Sequence, residues 1–132
     1  SAQWKHVNNT TLEELLKNSD VISIHTPLNN NTHHLINSDN LKHVKSSAVI
    51  INAARGGIID DKALSEKLKK NEIGGAALDV FETEPMNVSS GSYFKELNNV
   101  ILTPHIAGVT EESNQNVSSM IAQKIDNHLS SL

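Results

Sequence analysis

The chain has 132 residues, enough for one small domain with a core of its own, and hydrophobic residues make up 37% of it while aromatics make up only 3%. Such a core must be built from Ile, Leu, Val and Ala. A net charge of −4 with no basic stripe argues against nucleic acid or an anionic membrane as the main partner, and the lack of cysteine excludes disulfides and thiolate metal sites.

The pattern alternates along the chain. Trp4-Lys5-His6-Val7 reads as a short strand. Thr10 or Thr11 then caps a helix carrying Leu12, Leu15 and Leu16 at helical spacing, with Glu13 and Glu14 in the first turn, where the macrodipole favours negative charge. Val21 to His25 is a buried strand stopped by Pro27 and an Asn-rich loop, and Ser38 or Asp39 caps a short helix through Leu41 and Val44. Ala48 to Asn52 is a further buried strand. Asp60 or Asp61 opens a helix to about Lys70, with Ala63, Leu64 and Leu68 on one face. Ala76 to Val80 and Val100 to Pro104 are two more strands, separated by a polar stretch, Met86 to Tyr93, that reads as a surface loop. A long helix from Thr110 closes the chain, with Val117, Met120, Ile121, Ile125 and Leu129 as its apolar stripe. No apolar run nears the roughly 18 residues of a membrane span. No secretory leader is recognisable, so a cytoplasmic, globular piece is expected.

Short apolar strands alternating with amphipathic helices imply βαβ units: an α/β fold with a parallel sheet and helices on both faces. In such sheets ligands bind beyond the carboxyl ends of the strands, and the unusual residues of this chain fall there. Arg55 follows a strand beside Gly56 and Gly57, where a guanidinium suits a bidentate grip on a substrate carboxylate. A surface salt bridge to Asp60 or Asp61 is the ordinary alternative. Asp79, Glu82 and Glu84 follow the next strand, and His105 sits just past the last one. Neighbouring strands would bring Glu84 and His105 within reach, and a carboxylate bonded to an imidazole fixes its tautomer and makes it a better proton donor near neutrality. The competing reading is that His105, like His33, His34 and His43, is one of several surface histidines. Adjacent His33 and His34 cannot share a metal from one helix face, so no metal site is expected.

Taken together, Ser19 to Leu28, Asn52 to Gly57, Asp79-Val80-Phe81-Glu82-Thr83-Glu84-Pro85 and Thr103-Pro104-His105-Ile106-Ala107-Gly108 resemble, in order and approximate spacing, the D-isomer-specific 2-hydroxyacid dehydrogenases, a family that includes phosphoglycerate dehydrogenase and the glyoxylate/hydroxypyruvate reductases. The resemblance implies NAD as cofactor, with NADP not excluded, and a small 2-hydroxy or 2-oxo acid as substrate. It implies that Arg55 orients the substrate, that His105 is the general acid and base, and that Glu84 pairs with His105. It also implies cofactor contacts from Thr26 and Pro27, from Ala53, Ala54 and Arg55, from Asp79 near the nicotinamide, and from His105, Ala107 and Gly108. A homodimer is the expected assembly.

The glycines lie at 56, 57, 74, 75, 91 and 108, and none forms the G-x-G-x-x-G turn of that family. By this alignment the chain is a fragment of the nucleotide-binding domain. It carries strands three to six, with Trp4 to Val7 as strand three; the first two strands and the substrate domain are absent. The alternative is a dehydrogenase-like corepressor that binds NAD without turnover, because the C-terminal-binding-protein corepressors share this fold and resemble Asn31 to Ile36.

Overall fold

The computed structural model describes residues 7–131. Its elements run α1 (Leu12–Asn18), β1 (Val21–Ile24), α2 (Ser38–Leu41), β2 (Val49–Asn52), α3 (Asp61–Lys69), β3 (Gly75–Leu78), α4 (Val88–Gly91), β4 (Val100–Leu102) and α5 (Glu111–Leu129). The strands form one parallel sheet in the order β1-β2-β3-β4. The expected strand at Trp4–Val7 falls almost wholly outside the described residues. Counted from it as strand three, the four observed strands run from fourth to seventh, so the numbering three to six falls one short.

Local chemistry explains most boundaries. Thr11, Asp60 and Thr110 cap α1, α3 and α5 by accepting the N–H of Glu14, Ala63 and Ser113. The cap of α2 is Asn37 rather than Ser38 or Asp39: its side chain accepts from Asp39 and Asn40, and the Asn40 side chain reciprocates. The stretch Met86–Tyr93 is not loop throughout, because Asn87 and Ser90 make the same reciprocal cap and start the single turn α4.

Register decides what is buried. Ile22, Ile50, Ala76 and Val100 form one cross-strand row, and Ser23, Ile51, Ala77 and Ile101 the next. Side chains of successive rows point to opposite faces. The first row packs with Leu16, Leu41, Leu64 and Leu68 from α1, α2 and α3 into a single cluster that also holds Ile36, Ile58 and Ile73. Among the described residues these helices cover that face. On the other face Val21 and Ile101 are exposed, although parallel strands are normally covered on both sides. The apolar stripe of α5 exists as read from the sequence, yet Val117, Met120, Ile121, Ile125 and Leu129 are all exposed.

An uncovered strand face and an uncovered helix stripe make association favourable for the chain by itself. Sedimentation velocity at tens of micromolar (about the range where exposed apolar surface associates) should show a dimer or larger species. Lys at Ile121 and Ile125 should return it toward monomer. A single monomeric species in the unaltered chain would show that this surface is not adhesive.

Candidate active site

Because all four strands run the same way and stay in register, their last residues align: Ile24, Asn52, Leu78 and Leu102 lie in one row. The loops that follow therefore leave from one edge, and every sequence-predicted site residue lies in one of them.

Between β2 and Arg55 the chain turns around Asn52. This side chain is 2% exposed; its Nδ2 donates to the Arg55 carbonyl at 3.0 Å and its Oδ1 accepts the Ala54 N–H at 3.1 Å. Asn52 thus brackets the loop holding Ala53, Ala54 and Arg55, a role the sequence reading missed. The available signal was a polar residue ending an otherwise apolar strand. Arg55 is exposed, donates from Nη1 to the Ala54 carbonyl at 2.6 Å, and among the described ion pairs makes none with Asp60 or Asp61. The ordinary surface-salt-bridge reading of Arg55 is not what the structure shows. With Thr26, Pro27, Ala53 and Ala54 it lines an open cleft of about 690 Å³.

His105 and Glu84 meet. Nδ1 of His105 donates to Glu84 Oε2 at 2.6 Å, and the other carboxylate oxygen accepts the Phe81 N–H at 2.8 Å. A carboxylate can only accept here, so the bond fixes the proton on Nδ1 and leaves Nε2 as the reactive nitrogen. Partial burial works against ionisation of Glu84, but the bonds from His105 and Phe81 outweigh it and hold its carboxyl below the ordinary value of 4.5. His105 sits at φ 56, the left-handed region that few non-glycine residues occupy. Histidine and glutamate line a second cavity, about 350 Å³, with Phe81, Pro85, Met86 and Pro104. Arg55 lines the first cleft and not this one, so within this chain the two halves of the predicted site are separate hollows.

Asp79 explains why the His105 loop lies where it does. It is 6% exposed, and its Oδ1 accepts the Thr103 hydroxyl at 2.5 Å and the Ile106 N–H at 2.9 Å, while Oδ2 accepts the Ala107 N–H at 2.8 Å. The Thr103 bond first, then those from Ala107 and Ile106 against the opposing effect of burial, hold its carboxyl below the ordinary value of 3.8. Asp79, expected as a cofactor contact, is thus also the anchor of the loop containing His105 and Ala107. Gly108 is exposed, and a Cβ there would meet nothing within 4 Å.

Another cluster escaped the sequence reading. His34 Nε2 lies 2.9 Å from Glu82 Oε1, a residue 48 positions away, and the His33 and His34 rings stack with centroids 4.0 Å apart. The three donor groups fall within 4.8 Å of one another. His34 Nε2 is already bonded to Glu82, and the group reads as a hydrogen-bonded surface cluster.

A parallel sheet with polar loops gathered at its carboxyl edge defines an α/β domain of the kind that binds ligands at that edge. The chain belongs to the D-isomer specific 2-hydroxyacid dehydrogenase family: the profile of that family's NAD binding domain matches residues 1–107. The (S)-sulfolactate dehydrogenase of Chromohalobacter salexigens is 44% identical over 118 residues, covering 89% of this chain and 38% of that protein. The structure of D-lactate dehydrogenase from Aquifex aeolicus, complexed with NAD and lactic acid, matches with a TM-score of 0.75 at 35% identity, covering 92% of this chain and 40% of that one. An acyclic imino acid reductase in complex with NADPH and D-Arg matches with a TM-score of 0.81 at 35% identity, covering 96% and 40%. The chain spans no more than 40% of the length of these relatives. They are named as dehydrogenases and a reductase, so the corepressor alternative is not favoured. Among the described residues no helix is long and apolar enough to cross a membrane.

The lowered pKa of Asp79 sets a pH window. A carboxyl lowered on folding adds stability that is present above its unfolded value of 3.8 and is lost as pH falls through the lower folded value. Asp79→Asn places an amide against the Ala107 N–H and removes that contribution. Its thermal midpoint should fall below that of the unaltered chain at pH 7, and the gap should close as the pH drops well below 3.8. Equal midpoints at pH 7 would remove Asp79 as the loop's anchor.

Proposed function

We propose that this chain is the C-terminal part of the NAD-binding domain, within residues 1–132, of an enzyme that interconverts a small 2-oxo acid and the corresponding D-2-hydroxy acid. The observation that carries the reading is the 2.6 Å bond from His105 Nδ1 to Glu84, which leaves Nε2 to hold or release a proton at the carboxyl edge of the sheet. His105 acts as general acid toward the carbonyl oxygen in reduction and as general base in the reverse direction, and Glu84 fixes its tautomer. Arg55, unpaired with any carboxylate among the described residues, orients the substrate through its carboxylate.

The nicotinamide end of the cofactor fits the residues present. Ala53 and Ala54 keep the first cleft open beside Thr26 and Pro27, and Asp79 Oδ2 accepts a single bond in the structure and retains a lone pair. His105, Ala107 and Gly108, on the loop after β4, are the further cofactor contacts in this reading. Bound cofactor supplies or takes up the hydride. The glycine-rich turn that holds a pyrophosphate at a helix N-terminus is not among the 132 residues, so the chain offers only part of the cofactor site. A homodimer in the cytoplasm is the working assembly and location. Sulfolactate, lactate and glyoxylate all belong to the substrate class proposed.

In the complete parent enzyme, His105→Ala should lower turnover by about 10²-fold or more, the usual size of a general acid–base contribution. Glu84→Gln should move the limb of the reductive pH–rate profile governed by the pair to lower pH, because a protonated imidazole loses its anionic partner. Turnover and profile both unchanged would remove these residues from the mechanism.

The chain alone should bind NADH weakly. Calorimetric titration is expected to show no saturation below about the millimolar range, a binding free energy of only about 4 kcal/mol. A micromolar dissociation constant would mean that these residues assemble a phosphate site without the glycine-rich turn.

A further inference from the structure

Asp61 has no evident task in its own helix. Asp60 is the N-cap of α3, and its side chain already accepts the Ala63 N–H at 2.9 Å. Asp61, the first residue of α3, is nevertheless 6% exposed, and its Oδ2 accepts the Glu82 N–H at 2.9 Å. Burial first of all, with the nearby carboxylates of Glu82 and Asp60 adding to it and the Glu82 N–H and His34 opposing, pushes its pKa up to about 6. A group raised in this way favours the fold fully below its unfolded value of 3.8 and loses that contribution as pH rises through about 6. Ionised Asp61 is therefore a burden on stability at neutral pH, and its visible return is one hydrogen bond to the loop that follows β3.

That loop carries Glu84. The Phe81 N–H goes to Glu84 Oε1 and the next N–H, that of Glu82, goes to Asp61, so consecutive amides are held by two different carboxylates. The Phe81 side chain is itself buried, with its ring tilted against Phe94 at 6.4 Å. On the other side there is no slack, because a Cβ on Gly56 would fall 1.7 Å from the Phe81 carbonyl oxygen. The Glu82 side chain adds a tether to His34. Release of the Glu82 amide would let the turn rotate and take the Glu84 carboxylate away from His105.

We propose that Asp61 is a positioning residue for the acid–base pair: its buried carboxylate fixes the Phe81–Glu84 turn so that Glu84 reaches Nδ1 of His105. The proposal rests on the roles given to His105 and Glu84 above. It predicts coupling between a residue on α3 and a proton-transfer step it does not touch.

The test uses the complete enzyme. Asp61→Leu, of similar size and without an acceptor, should lower kcat by about 10- to 100-fold, as expected for misplacement of a catalytic group by about 1 Å. It should also move the pH–rate profile in the same direction as Glu84→Gln, with KM for the cofactor little changed. Asp61→Asn, whose side-chain carbonyl still accepts from Glu82, should restore both rate and profile. The double variant Asp61→Leu/Glu84→Gln should be no slower than Glu84→Gln, because the two changes break one interaction. Should Asp61→Leu fail to fold, Glu82→Pro removes the same N–H together with the tether to His34 and is read against Glu82→Ala, which removes the tether alone; the same loss and shift are expected in Glu82→Pro and not in Glu82→Ala. An unchanged pH profile in the folded variant, or losses that multiply in the double variant, would overturn the positioning role while leaving the acid–base assignment standing. If His105→Ala and Glu84→Gln are themselves without effect, the assignment fails and the role of Asp61 falls with it.

Discussion

Parallel, in-register pairing of four strands is the constraint from which the site follows. Each ladder bond fixes which residue ends beside which, and Ile24, Asn52, Leu78 and Leu102 come to lie in a single row. Side chains that follow these positions in sequence then share one edge of the sheet, although Arg55 and His105 are 50 residues apart in the chain and line separate hollows. No strand has to carry a reactive group itself. The strands supply only an edge, and buried polar residues at that edge, Asn52 and Asp79, turn the outgoing backbone into fixed loops through bonds to its amides and carbonyls.

These anchors are costly to bury and are correspondingly well satisfied. Asp79 accepts three hydrogen bonds, Asn52 makes two, and among the described residues no buried side-chain nitrogen or oxygen lacks a partner. Their energetic weight lies less in favourable binding than in what would follow from removing one partner, since that would leave a polar group without a hydrogen bond. The left-handed backbone of His105 is tolerated in the same way: the amides on its far side are held by Asp79, and its ring is held by Glu84.

Much of this was legible in the sequence for identifiable reasons. Runs such as Val21-Ile22-Ser23-Ile24 and Val49-Ile50-Ile51-Asn52 are too short and too β-branched for anything but strands, and the residues after them mark the edge. The meeting of Glu84 with His105 could be expected because their loops follow adjacent strands. What stayed hidden depends on packing. Periodicity shows that α5 has an apolar stripe but not what lies against it, and the stripe is exposed. Nothing local distinguishes Asp60, which caps a helix, from Asp61, which is buried and reaches a loop 21 residues on. The bond between His34 and Glu82 was equally invisible, as it joins loops from different strands. Reciprocal asparagine caps at Asn37 and Asn87 were the avoidable misses, because their signature is a short-range one.

The missing side chain at Gly56 has a mechanical consequence. The backbone beside Arg55 rests directly on the carbonyl of Phe81, with no room for even one methyl group between them. Neither segment can advance on the other without a clash. Under the proposed roles, the part that grips a substrate's acid group and the part that steers the proton donor form one jaw of a caliper whose setting does not change. Substrates with longer or bulkier tails would then be accommodated by whatever closes against this jaw, and a chain of this kind can be shared, unaltered, among enzymes that act on quite different acids.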